Sequence, residues 1–231
     1  MAILECRGLS KCFGSVRALE NAELSVEPGR IVGLLGPNGS GKTTLLKLAC
    51  GLLTPTAGTI TVGDLAPCPE TKAMVSYLPE RNPLPLWMRV SALMEFYADF
   101  YADFQADKAR EMLEKLDIDP ARPLRTLSKG NREKVQLILA MSREAKLYLL
   151  DEPIGGVDPA ARDYILKTII GSYSEGAAVV ISTHLIADAE PVLDEAVFLK
   201  NGTVYLHENV DALRERSGKS VDALFREVFK C

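Results

Sequence analysis

The chain is poor in the features that would mark a secreted, membrane-spanning or nucleic-acid-binding protein. Only five of its 231 residues are cysteine, namely Cys6, Cys12, Cys50, Cys68 and Cys231. The count is odd, the spacings are wide and no C-x-x-C pair occurs, so free thiols in a reducing cytosol are expected rather than a disulfide framework. No apolar run approaches the roughly 20 residues that cross a bilayer, and the opening "MAILECRGLSKCFG" lacks the apolar segment of a secretory leader. The chain is therefore expected to be soluble by itself, leaving any membrane crossing to another chain. Basic residues form no run that would tether it to a membrane. The 27 Lys and Arg are outnumbered by 31 Asp and Glu, and the net charge of −4 gives no electrostatic footprint for nucleic acid. Long repeats, linkers and low-complexity tracts are also missing. What remains is 47% hydrophobic and 25% charged, enough for one large domain or two small ones.

Apolar runs ending in glycine or acidic turns alternate with stretches of helical spacing. Strands are expected over "AILECRGL", "ALENAELSV", "RIVGLLG", "GTITVGD", "AMVSYLP", "KLYLLDEP" and "AAVVIST", and a hairpin over "LDEAVFLKNGTVYLHE" around Asn201-Gly202. Helices are expected over 41–51, 90–117, 130–144 and 158–170, and from 210 onward. This alternation predicts an α/β core with a mostly parallel sheet. The region from about 82 to 145 is almost purely helical and reads as a lobe inserted into that core.

"GPNGSGKTT" matches G-x-x-x-x-G-K-[ST], preceded by a strand and followed by a helix. Gly36, Pro37, Asn38, Gly39, Ser40 and Gly41 would let backbone N–H groups close around a phosphate, with the positive helix end behind them. Lys42 would reach the β- and γ-phosphates, the Thr43 hydroxyl would ligate Mg²⁺, and Thr44 completes the loop. Taken alone, this leaves kinases, GTPases and motor ATPases open. "LYLLDEP" adds Asp151 and Glu152 at the C-terminal end of a buried strand, where ligands gather in open parallel sheets. Alternation along a strand would aim Asp151 at the metal and Glu152 elsewhere, at an attacking water.

Together these motifs resemble the ATP-binding cassette (ABC) family, specifically the ATPase subunits of ABC transporters, over nearly the whole chain. "GPNGSGKTT" and "LYLLDEP" look like its two Walker motifs. "LSKGN" at 127–131 is similar to the signature loop usually written LSGGQ, with Lys129 and Asn131 in place of glycine and glutamine. "GGVDP" at 155–159 resembles the D-loop, and "STH" at 182–184 the switch histidine. "YLPE" at 77–80 stands at the Q-loop, with Glu80 instead of glutamine. The resemblance implies that Phe13 stacks on adenine, that Glu80 joins Thr43 and Asp151 around Mg²⁺, and that Glu152, His184 and Lys42 carry hydrolysis. It also implies that Ser128 and Gly130 act on ATP held by a second ATP-binding subunit, in a head-to-tail dimer that is either homo- or heteromeric.

The fold expected is therefore a P-loop NTPase core with an N-terminal antiparallel β subdomain and the helical insertion at about 82–145. The nucleotide-binding domain is placed at 1–215 and a short helical tail at 216–231. The function expected is ATP hydrolysis driving separate membrane-spanning subunits, on the cytoplasmic face of the cell membrane. The "LSKG" and "YLPE" forms resemble exporter subunits, which favours export. The rivals are an ABC ATPase acting on DNA or ribosomes, which the single acidic cassette disfavours, and a nucleotide-sensing subunit, which the presence of Glu152 and His184 disfavours. Two apolar features stand outside these motifs. In "FYADFYADF" the four-residue period would put Phe96, Phe100 and Phe104 on one helix face, either packed or docking a partner helix. Trp87, the only tryptophan, would either plug the junction of core and lobe or help form a groove for a membrane subunit.

Overall fold

The structure, a computed structural model, describes residues 1–155, 157 and 159–229. The chain opens with two antiparallel strands, β1 (Leu4–Phe13) and β2 (Val16–Val26). Every residue of β3 (Ile31–Leu35) is buried, and the glycine loop after it leads into α1 (Lys42–Ala49). Next come β4 (Ala57–Val62), α2 (Pro69–Met74) and β5 (Val75–Leu78), followed by the helical stretch α3 (Val90–Phe100), α4 (Ala106–Lys115) and α5 (Lys129–Met141). The chain returns to the sheet with β6 (Leu147–Asp151), α6 (Pro159–Ser172), β7 (Ala178–Thr183) and the single turn α7 (Ile186–Ala189). It closes with the hairpin β8 (Glu195–Lys200) and β9 (Thr203–Asn209), then α8 (Val210–Ser217) and α9 (Val221–Phe229). The first helix of this tail thus runs through position 215.

One sheet has the order β2-β1-β4 and is antiparallel; the other has the order β5-β6-β7-β3-β8-β9. In the larger sheet only β9 runs antiparallel to its neighbour. This is the expected α/β P-loop NTPase fold. The apolar runs of the central strands are explained by burial on both faces. Tyr148, Leu150, Val179 and Ile181 face the core shared with α3–α6, whereas Leu147, Leu149, Ala178 and Val180 face α1 and the antiparallel sheet.

Three local expectations are corrected. Ala73 and Met74 belong to α2 rather than to a strand, which begins only at Val75. The helix expected over 90–117 is two helices. Arg143, almost fully buried, forms two 2.9 Å bonds to the Asp103 carboxylate, stacks over Tyr101 at 3.9 Å, and donates to the carbonyls of Val75 (2.6 Å) and Ala73 (2.7 Å). These bonds tie the chain at 101–103 to the core and stop α3 at Phe100. Phe104 consequently leaves the face it would share with Phe96 and Phe100 and packs on Tyr97 instead, ring centroids 5.7 Å apart. Trp87 plugs nothing: it is 73% exposed.

Candidate functional site

Four adjacent strands of the large sheet, β5-β6-β7-β3, deliver the site from one edge. Glu80 lies just beyond β5, Asp151 ends β6 with Glu152 next, His184 follows β7, and the glycine loop follows β3. Ligands collect at this edge of open α/β sheets because the loops and helix N-termini converge there.

The loop needs glycine where the backbone turns left-handed or runs close to its neighbours. Gly41 has φ 109°, and a Cβ on it would lie 2.4 Å from the Ala18 carbonyl oxygen; one on Gly36 would lie 2.5 Å from Ser40 Oγ. The β8–β9 turn braces the loop from behind, its Gly202 N–H donating to the Ser40 carbonyl at 3.0 Å. Lys42 folds back over the loop. Its ammonium donates to the Gly36 carbonyl at 2.7 Å and the Pro37 carbonyl at 3.3 Å, and lies 3.4 Å from Glu152 Oε1.

Asp151 is buried at the end of β6. Its Oδ1 accepts from Thr43 Oγ1 at 3.1 Å and from Ser182 Oγ at 2.6 Å, while the buried Oδ2 has no hydrogen-bond partner among the described residues. Glu152 lies beyond the strand with φ 50°. Its direction is thus set by a left-handed backbone, not by strand alternation as the sequence reading had it. Its N–H donates to Ser182, at 3.0 Å to the carbonyl and 3.2 Å to Oγ. Its Oε2 accepts from His184 Nδ1 at 3.0 Å. A non-glycine residue held at positive φ stores strain that its surroundings must enforce.

Two clefts open onto these groups. One, of about 420 Å³, is lined by Phe13, Gly39, Lys42, Thr43, Thr44 and Glu80, with Phe13 half-exposed at its mouth. The other, of about 580 Å³, is lined by Asn38, Glu80, Arg132, Glu152 and His184. Ser128 and Gly130 line neither. Ser128 is exposed as the N-cap of α5, its Oγ accepting from the Asn131 N–H at 3.2 Å, and a Cβ on Gly130 would meet open space. The structure therefore gathers Lys42, Thr43, Asp151, Glu152 and His184 at one point, borders them with Phe13 and Glu80, and sets Ser128 and Gly130 elsewhere. Of the D-loop stretch, Gly156 and Asp158 lie outside the described residues.

Sequence reasoning missed Ser182, which holds both neighbouring carboxylate residues in place. The signal was present in "STH", since Ser182 pairs with Asp151 in the parallel register of β6 and β7. It also missed Arg162, which bonds Asp188 at 2.7 Å and the Val157 carbonyl at 3.2 Å, and so braces the segment after His184.

A glycine phosphate loop between a central parallel strand and a helix, in this sheet order, defines a P-loop nucleoside triphosphatase. Residues 19–155 match the family described as ABC transporter. The chain is 31% identical over 227 residues to the uncharacterized ABC transporter ATP-binding protein YxlF of Bacillus subtilis, covering 96% of this chain and 76% of that one. It is 32% identical over 218 residues to the lipopolysaccharide export system ATP-binding protein LptB of Escherichia coli, covering 90% of each. A solved structure described as the ATP binding subunit of an ABC transporter superposes with a TM-score of 0.88 at 30% identity, covering 98% of this chain and 99% of that one. The chain belongs to the ABC transporter family, as an ATP-binding subunit. That family binds and hydrolyses ATP, and its ATP-binding subunits typically dimerise and work with membrane transporter subunits. Among the described residues, no helix is long and apolar enough to cross a membrane.

Proposed function

We propose that this chain hydrolyses ATP with Mg²⁺ in a head-to-tail dimer, and that closing and opening of the dimer powers export through separate membrane-spanning subunits. The observation that carries this reading is the convergence of Lys42, Asp151, Glu152 and His184 on neighbouring strand ends. The loop amides and Lys42 bind the phosphates, with Lys42 exchanging Glu152 for them, and Phe13 stacks on the base. Thr43 and Asp151 fit a hard cation: their oxygens are already adjacent, Oδ2 of Asp151 is buried without a partner, and Glu80 lines the same cleft. Mg²⁺ bound there would neutralise charge developing on the phosphates. Glu152 takes the proton of the attacking water. His184, tied to Glu152 at 3.0 Å, holds that carboxylate and contacts the γ-phosphate.

Ser128 and Gly130 line neither of their own chain's two clefts, which suits a role on the partner's nucleotide. The Ser128 hydroxyl, the open N–H of Gly130 and the start of α5 form an anion-binding helix end. The reading takes the partner as a second copy of this chain. For the membrane subunit we propose a groove of about 490 Å³ lined by Lys47, Tyr77, Pro83, Tyr97 and Gln136, with Trp87 exposed on the segment leading to α3. A cytoplasmic helix would lie in it by its apolar face, placing the chain on the cytoplasmic face of the membrane. Export is favoured by the export system named for the LptB relative and by the "LSKG" and "YLPE" forms. The test is phosphate release with and without Mg²⁺. Wild type should be active only with the metal, and Glu152→Gln should bind ATP yet release almost no phosphate. Full activity in that variant would remove the assigned base.

A further inference from the structure

The last helix, α9, and the histidine that faces the site line one cleft. Between His184 and β8 the chain makes only the single turn α7 and a 3₁₀ turn at Glu190–Val192, both too short to hold their own shape. Their position depends on anchors, and the strongest is Glu190. This side chain is 8% exposed and accepts four hydrogen bonds. Arg214 Nε and Nη2 reach Oε1 at 3.0 and 2.8 Å, the Val221 N–H reaches Oε1 at 3.0 Å, and the Asp222 N–H reaches Oε2 at 3.1 Å. The carboxylate therefore caps the start of α9, satisfying two N–H groups that have no partner within the helix. At the other end of α9, Lys200 Nζ donates to the Val228 carbonyl at 2.9 Å, and Phe225 packs edge-on against Phe198. Held at both ends, α9 presents Asp222, Phe225 and Arg226 to a cleft of about 320 Å³ whose other walls are Pro37, Asn38, His184 and Ile186. Burial pushes the Glu190 carboxyl up, but the Val221 N–H, Arg214 and the Asp222 N–H outweigh it and hold the group below the usual carboxylate range.

We propose that Glu190 is a positioning residue for hydrolysis, locking α8 and α9 against the segment after His184 so that the imidazole stays on Glu152. The inference rests on the reading of His184 given above. The phosphate loop is braced separately, by Gly202 and by the bonds of Lys42 to its carbonyls. Loss of the lock should therefore slow turnover and leave ATP loading intact.

The test uses the full chain with Mg·ATP. Glu190→Gln keeps the shape but removes the charge and turns one acceptor into a donor facing N–H groups. Its kcat should fall on the order of 10-fold, as misplacement of a reacting group by a fraction of an ångström does, with ATP affinity unchanged. Arg214→Met should repeat that pattern and Arg214→Lys should restore most of the activity, giving an independent readout of the same contact if Glu190→Gln folds poorly. In a His184→Ala background, Glu190→Gln should cause no further loss of residual single-turnover hydrolysis. Wild-type kcat in Glu190→Gln and Arg214→Met would overturn the proposal. So would a parallel fall in affinity and kcat, or an equal further loss in the His184→Ala background, because each marks a general structural role. Full activity in His184→Ala would sink this proposal together with the role given to His184. Inactive His184→Ala beside wild-type Glu190→Gln would sink the proposal alone.

Discussion

Removing Lys42 should destabilise the nucleotide-free protein as well as abolish ATP loading. Its side chain is 6% exposed and that of Glu152 is 9% exposed, with the charges 3.4 Å apart. The contact is an ion pair without hydrogen-bond alignment, since Glu152 Oε1 has no hydrogen-bond partner among the described residues. At an effective dielectric near 20, such a separation corresponds to about 5 kcal/mol of attraction, most of it offset by desolvation. Stranding one buried partner typically costs about 3–5 kcal/mol. His184 still holds Oε2 of Glu152, so the lower end applies to Lys42→Met, about 3 kcal/mol, or roughly 6–12 °C in Tm for a domain of this size. Lys42→Met/Glu152→Gln strands no charge and should regain about 2 kcal/mol of that. Urea unfolding of the four proteins without nucleotide measures the cycle. Wild-type stability in Lys42→Met, or strict additivity of the two changes, would refute the ion pair as a structural element of the resting site.

Ser128→Arg should leave ATP binding by the single chain unchanged and block ATP-driven dimerisation. Mixed with Lys42→Ala it should recover part of the ATPase activity, read as phosphate release, because one composite site is then intact. Trp87→Asp should keep isolated ATPase activity and fold, the residue being exposed, while losing co-purification with the membrane subunit; loss of fold instead would place it in the core. Acid should loosen the tail. Glu190 has a folded pKa below its unfolded value, so its contribution is complete above about pH 4.3 and is lost as pH falls from there through the folded value. Hydrogen exchange in α9 should accelerate over that window in wild type, and Glu190→Gln should lack this component.

The parts of the site legible in sequence were those whose chemistry is local. "GPNGSGKTT" carries its own turn geometry, and "LYLLDEP" and "AAVVISTH" end buried strands in the polar groups that the sheet edge then brings together. Two strongly periodic stretches misled for one reason, that long-range contacts decided them. The four-residue beat of "FYADFYADF" continues past the true end of α3, because the break is imposed by Arg143, 40 residues from Asp103 in sequence. Alternation along β6 could not aim Glu152, whose left-handed backbone is held by Ser182 on the neighbouring strand. The anchoring of the tail was illegible in the same way, since Glu190 meets Val221 and Asp222 across a whole hairpin and α8. For Trp87 the sequence left two readings open, a plug or part of a groove, and its exposure removes the plug.

The central claim is a site completed by two chains around ATP, and the mass of the Glu152→Gln variant tests it most directly. Light scattering after size exclusion, with Mg·ATP present, should give twice the 25.2 kDa of the chain, and the mass should fall back to that of one chain when ATP is removed or when Ser128→Arg is added. With a second copy as the partner, a single-chain mass for Glu152→Gln saturated with Mg·ATP, or a dimer indifferent to ATP and to Ser128→Arg, would contradict the account.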